Sequence, residues 1–245
     1  MRKAWWGVLL WLILCAAQAS ELPKDIRLAS EAWVDYSEAD GRGLAWDVLR
    51  EIFEPSVTVQ VRSEPYTRSI GLVQRGEADA WVGSYYQEID TALYPHWNFD
   101  TDHIYALGLA SSPVPNLKNI GDYRLAWVRG YEYQDYLPGV RHFSEVQRRG
   151  GILPMLQHGR ADYYIDALAE VDAVLNEAPE PSRYRRSHLA ELPLYLGFAD
   201  NPRGRALLAF YDRRMGELVK SGALRAIFAR WKQPYPFDDA AAPAQ

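Results

Sequence analysis

Nine residues stand where a strand gives way to a turn or helix and carry side chains that could grip a small molecule: Trp33, Tyr36, Tyr66, Arg68, Ser84, Tyr85, Gly130, Tyr131 and Asp166. Their chemistry is that of reversible capture. Aromatic plates stack on apolar or cationic groups, one guanidinium and one carboxylate pair with opposite charge, and a glycine lets the backbone approach closely. Each also has a plainer use. The aromatics could be core residues, Arg68 a solvated helix residue, Gly130 a strand end, and Asp166 the cap of a helix starting near Leu168. Their shared placement beyond strand ends favours a site, because open α/β sheets bind ligands there.

Covalent and metal chemistry is not signalled. The chain has no G-x-S-x-G elbow, H-E-x-x-H pair, P-loop or Rossmann glycine fingerprint. Its five histidines, His96, His103, His142, His158 and His188, lack ligand spacing, so neither a metal nor a cofactor is expected. Asp and Glu are too numerous to mark acid–base catalysis.

The elements that would position these residues are read from an internal repeat. LVQRGEADAWV (Leu72 to Val82) returns in outline as MLQHGRADYYI (Met155 to Ile165), with Gln, Gly, Ala and Asp at the same offsets. In each copy an apolar helix end meets a Gly that can close it, and a short strand follows. Around the first copy the pattern reads as a strand at Ile26 to Glu31, a helix carrying Leu44, Val48, Leu49, Ile52 and Phe53, a strand through Val57, Val59 and Val61, a helix from Pro65 to Arg75, and a strand at Asp79 to Gly83. Around the second it reads as a strand at Arg124 to Val128, helical material from Glu145 to His158, a strand at Tyr163 to Ile165 and a helix from Leu168 to Glu177. This is the grammar of mainly parallel α/β sheets. IYALGLA (Ile104 to Ala110) and LYLGFA (Leu194 to Ala199) resemble each other and read as hinge strands. Two amphipathic helices then close the chain.

The ends of the sequence bear on location. Arg2 and Lys3, an apolar run from Ala4 to Leu14 and Ala17-Gln18-Ala19 have the layout of a cleaved export signal. The run is too short to span a bilayer, and Leu14 before Cys15 does not suit lipid attachment. The mature protein is expected to start at Ser20, in the periplasm, with no cysteine. With 27 Lys and Arg against 32 Asp and Glu the chain is acidic, and loss of the signal makes it more so. Such a balance argues against nucleic acid. The small arginine groups, Arg148-Arg149 among them, read as solvated faces.

Taken in order, the aromatics after the first strand, the GLAWDVLREIF and EPYTR segments, the paired G-x-A-D strands, DYRLAWVRGY and the two hinge strands resemble bacterial extracellular solute-binding proteins of family 3, which serve ABC transporters of polar amino acids. The resemblance covers nearly the whole mature chain. It implies an α/β, two-lobed, periplasmic-binding-protein-like (type II) fold with two hinge crossings. The first lobe would take residues 20–107 and 195–238 and the second 108–194, after a signal at 1–19 and before a disordered tail at 239–245. It implies a monomer that closes on a small-molecule solute and docks on an inner-membrane ABC permease or a membrane sensor. Asp166 matches the family aspartate that holds a ligand ammonium, Gly130-Tyr131 a ligand-contacting helix start, and Ser84-Tyr85 first-lobe contacts. Where amino-acid binders carry a carboxylate-clamping arginine, this chain reads Gln87-Glu88-Ile89-Asp90. Arg68 could supply that cation from the neighbouring helix start, or the ligand could be cationic or uncharged. An enzyme on the same scaffold, of the cyclohexadienyl dehydratase kind, is the alternative, with Asp166 or Glu132 as its acid.

Overall fold

A computed structural model describes residues 21–238. The expected signal at 1–19, the start at Ser20 and the tail at 239–245 lie outside the described residues. The first half of the fold comprises β1 (Asp25–Ser30), α1 (Leu44–Phe53), β2 (Thr58–Ser63), α2 (Tyr66–Gln74), β3 (Ala80–Ser84) and the short β4 (Ala92–Leu93). Then follow β5 (Asp100–Leu109), β6 (Arg124–Val128), β7 (His142–Val146), α3 (Ile152–Gln157), β8 (Tyr163–Ala167), α4 (Leu168–Asn176), β9 (Tyr184–Ala199), α5 (Pro202–Ser221) and α6 (Arg225–Arg230).

The helices form where apolar residues recur on one face. In α1, Leu44, Val48, Leu49, Ile52 and Phe53 are all buried, while Asp47 sits in the first turn, where the helix dipole favours a negative charge. Pro202 opens α5, and the Asn201 side chain accepts a 2.8 Å hydrogen bond from the Gly204 N–H, satisfying one of the donors a helix start leaves free.

The strands run in the order β2-β1-β3-β9-β5-β8-β6-β7, with β4 also on β9. Parallel pairing joins β1 to β2 and β3, and likewise joins β6 to β7 and β8. Each half therefore builds the same 2-1-3 order, and the sequence repeat falls on α2–β3 and α3–β8. The IYALGLA and LYLGFA segments lie in β5 and at the end of β9. These two strands pair antiparallel from Asp100↔Leu194 to Leu109↔Tyr184, and β9 then continues onto β3 at Leu196, Gly197 and Phe198. They are the two crossings between the halves.

One expected element is corrected. The stretch from Glu145 to His158 is not one helix: residues 142–146 form an edge strand beside β6, and α3 begins only at Ile152. All of β7 but Val146 is exposed, so no alternation of apolar and polar residues marks it.

Candidate binding cavity between the two halves

A cavity of about 730 Å³ opens between the loop after β1, the β5 and β9 crossing strands, α4 and the segment after α6. Trp33, Tyr36, Tyr66 and Tyr85 reach it from the first half, and Tyr131 and Asp166 from the second. Six of the nine residues singled out from the sequence thus meet on one wall.

Local backbone explains how they fit. Gly83, the last residue but one of β3, has φ 86°, and a Cβ there would lie 2.7 Å from the Trp33 ring, so only glycine lets the indole lie across the strand end. Trp33 then packs on Tyr36 and Tyr66 at centroid distances of 6.3 and 6.0 Å, within the range of tilted aromatic pairs. Its Nε1 donates across the gap to the Tyr131 hydroxyl at 2.9 Å.

The other three lie off the cavity. Arg68 is mostly exposed and pairs with Glu64 at 3.1 Å, one helical turn back, so it does not supply a cation to the cleft. Ser84 is buried beneath the wall, its hydroxyl donating to Glu88 at 2.7 Å. Gly130, at φ 87°, packs on Thr67, where a Cβ would meet Cγ2 at 2.4 Å, and its N–H donates to Glu145 at 3.0 Å. It spaces the two halves. Glu88, in the segment that lacks the arginine, also accepts from the Tyr66 hydroxyl at 2.6 Å; burial pushes its pKa up while these hydrogen bonds pull it down, and the net is upward.

Asp166 does not cap α4, whose N-cap is Ala167. It accepts from the Arg149 Nε at 3.0 Å and from the Tyr164 hydroxyl. The same guanidinium lies 3.1 Å from Glu170 and 3.4 Å from Glu31 of the first half, and donates to the Tyr131 hydroxyl at 2.7 Å. Burial opposes the charge on Arg149, but Asp166, Tyr131 and their neighbours outweigh it and hold the pKa above its ordinary value. Arg149, and not Arg68, is the cation of this region. It stands just past β7, whose exposed residues carry no strand pattern, so nothing in the sequence marks it as a strand-end residue.

Further carboxylates line the cavity where the crossing strands pass. Burial pushes Asp100 and Asp102 up to about 7, although Asp102 accepts from the Tyr85 hydroxyl at 3.0 Å. Burial likewise pushes Glu170 up to about 7 against the pull of Arg149. Glu132, considered as an acid, accepts instead from the Gln134 amide at 2.6 Å and does not line the cavity. The β5–β9 pairing also brings His103, His188 and Glu191 within 4.8 Å of one another, a grouping able to hold a divalent ion that histidine spacing along the chain does not disclose.

A scan against protein-family models gives no match, and neither does a search of curated proteins. Solved structures are similar. The substrate-binding protein of an amino acid ABC transporter superposes with a TM-score of 0.66 at 16% identity, over 85% of this chain and 99% of that one. A histidine kinase sensor domain with similarity to periplasmic binding proteins gives 0.70 at 18%, over 85% and 96%. An ancestral amino acid-binding protein described as a precursor of cyclohexadienyl dehydratase gives 0.64 at 13%, over 85% and 95%. At these identities the likeness shows the fold: two-lobed α/β, of the periplasmic-binding-protein type. Among the described residues no helix is long and apolar enough to cross a membrane.

Proposed function

We propose that this protein captures a small solute between its lobes and presents the closed form to a membrane partner, without chemistry on the solute. The observation that carries the reading is the shared wall: aromatic side chains of the first half and Tyr131 and Asp166 of the second face one cavity of about 730 Å³, a volume suited to a small molecule. The lobe division at residues 20–107 with 195–238 and 108–194, an export signal before it, a periplasmic location, a monomeric state and an ABC permease or sensor as partner belong to the same proposal. Arg149–Glu31 and Trp33–Tyr131 are contacts between the halves that such closure would make.

The test is a thermal-shift screen of the mature chain across small metabolites, followed by calorimetry. A solute that stabilises the protein with a Kd of about 1 μM or tighter supports the proposal; no stabilisation by any solute counts against it.

A second reading, dehydration of a cyclohexadienyl acid on the same scaffold, draws on Asp100 and Asp102, whose carboxyls titrate near neutrality inside the cavity. Against it, an acid substrate would meet a wall of carboxylates. Incubation with prephenate or arogenate decides: aromatic product supports the enzyme, and its absence leaves capture as the function.

A further inference from the structure

The cavity wall is one-sided in charge. Among the described residues lining it there is no Lys and no Arg, and eight are Asp or Glu. His103 is the one basic group there, and it is 3.4 Å from Glu191. Arg149 is not among the lining residues and is shared between Asp166, Glu170 and Glu31.

Glu170 gives this imbalance a direction. The residue is 5% exposed, its Oε2 is on Arg149, and its Oε1 is buried and makes no hydrogen bond of ordinary geometry among the described residues, although the Val34 N–H of the first half approaches the carboxylate. A buried carboxylate oxygen without a donor is costly, and an N–H donor brought by a ligand removes that cost. The buried hydroxyl of Tyr235 on the same wall is unpartnered as well among the described residues, whereas that of Tyr36 lies against the Asp100 carboxyl. Around them the rings of Trp33, Tyr36 and Tyr66 offer π faces, which attract cations.

We propose that the cavity takes an organic cation that lacks a carboxylate, an amine or guanidine whose N–H groups meet Glu170 and Asp102 while its carbon frame lies on Trp33 and Tyr36. This rests on the capture reading above and narrows it. A ligand carboxylate would be held near several like charges, with no free Lys or Arg among the described lining residues to offset them. A zwitterionic amino acid is therefore disfavoured. A bound cation also favours the ionised form of carboxyls that sit near neutrality in the empty cavity, so binding releases protons.

The experiment uses the mature chain in EDTA and compares each amino acid with its decarboxylated amine: arginine with agmatine, tyrosine with tyramine, histidine with histamine, ornithine with putrescine. Matched organic acids complete the set. At least one amine should bind about tenfold or more tightly than its parent amino acid, with a calorimetric enthalpy that changes with the buffer's own protonation enthalpy. Glu170→Gln and Asp102→Asn should each weaken it by about tenfold or more, and Asp162→Asn, far from the wall, should not. If Glu170→Gln fails to fold, Asp102→Asn decides. An amino acid or acid that binds more tightly than the matching amine overturns the cation class and leaves capture standing. Zinc without EDTA stabilising the protein where no amine does also overturns it. Binding of nothing in any class overturns both readings, and either folded variant binding like the wild type overturns the assignment.

Discussion

The two halves share one clamp and differ in what they hang from it. In the first, Asp79 accepts from the Arg27 N–H at 2.8 Å and from the Arg27 guanidinium at 3.1 and 2.6 Å. In the second, Asp162 accepts from the Arg124 N–H at 2.8 Å and from its guanidinium at 3.1 and 2.7 Å. The repeated Ala-Asp thus ties the third strand of each half to its first strand, which is scaffold work. At matching register beyond the clamp, Gly83 of the first half answers to Asp166 of the second, and Tyr66 to Arg149. One half presents rings over a glycine; the other presents an ion-pair network. A repeated unit fixes the frame, and the departures from the repeat make the site.

The comparison breaks first at Asp79. Its carboxylate is buried and also holds Arg203 at 2.9 Å, so the first clamp is a three-residue knot joining β1, β3 and α5. Burial works against its charge, but Arg27 and Arg203 prevail and keep its pKa below the ordinary carboxylate value. Asp79→Ala should destabilise by about 3 to 5 kcal/mol, the range for breaking a buried ion pair, read as a fall in the urea midpoint. A loss below about 1 kcal/mol would mean that the first half does not lean on its clamp. Next comes Arg149. Arg149→Met leaves Asp166, Glu170 and Glu31 without their shared cation, and a loss of about 3 kcal/mol is expected at neutral pH. The loss should shrink in mild acid, as Glu170 takes up a proton. An equal loss at both pH values would show that the guanidinium serves packing and not charge.

These same residues show what the sequence could reveal. Repetition exposed α2–β3, α3–β8 and the clamp aspartates, because Gly and Ala-Asp at fixed offsets follow from helix closure and strand entry. The strand-end rule then pointed to Trp33, Tyr66, Tyr131 and Asp166, which line the cavity. Arg149 escaped it, since β7 is an exposed edge strand whose residues carry no apolar alternation, and an Arg-Arg pair without a neighbouring strand reads as a solvated face. Asp100, Asp102 and Glu170 are hidden for another reason: cross-strand register and the orientation of α4 turn them to the cavity, and neither is written in local pattern. Arg68 pairs with Glu64, one turn earlier, and lies off the cavity, a pairing that the strand-end rule does not weigh.

Middle-sized effects should come from the crossing strands, which link the two halves. Asp102 binds its proton more tightly in the folded protein, where its pKa is about 7, than at the ordinary value of 3.8. Between those values the unfolded chain has lost a proton that the native state retains, so this group's contribution to stability falls as pH rises and levels off above about 7. Asp102→Asn should remove that part of the decline, on the order of 1 kcal/mol between about pH 5 and about pH 8 once solvent access is allowed for. Urea unfolding at the two pH values measures it. A variant whose pH slope equals that of the wild type would show that Asp102 is ionised throughout.

The smallest effect is also the sharpest control on the comparison. Asp162 makes the same bonds as Asp79 at nearly the same lengths, yet its side chain is 30% exposed, Arg124 is 56% exposed, and among the described residues no second arginine joins them. Water can replace much of what the pair provides. Asp162→Ala should cost only about 0.5 to 1 kcal/mol, with the lost backbone contact at Arg124 as its larger part. Because the geometry is shared and the burial is not, the difference between the two substitutions isolates what desolvation and the extra arginine add. Equal losses from Asp79→Ala and Asp162→Ala would trace clamp strength to bond geometry and overturn the burial argument.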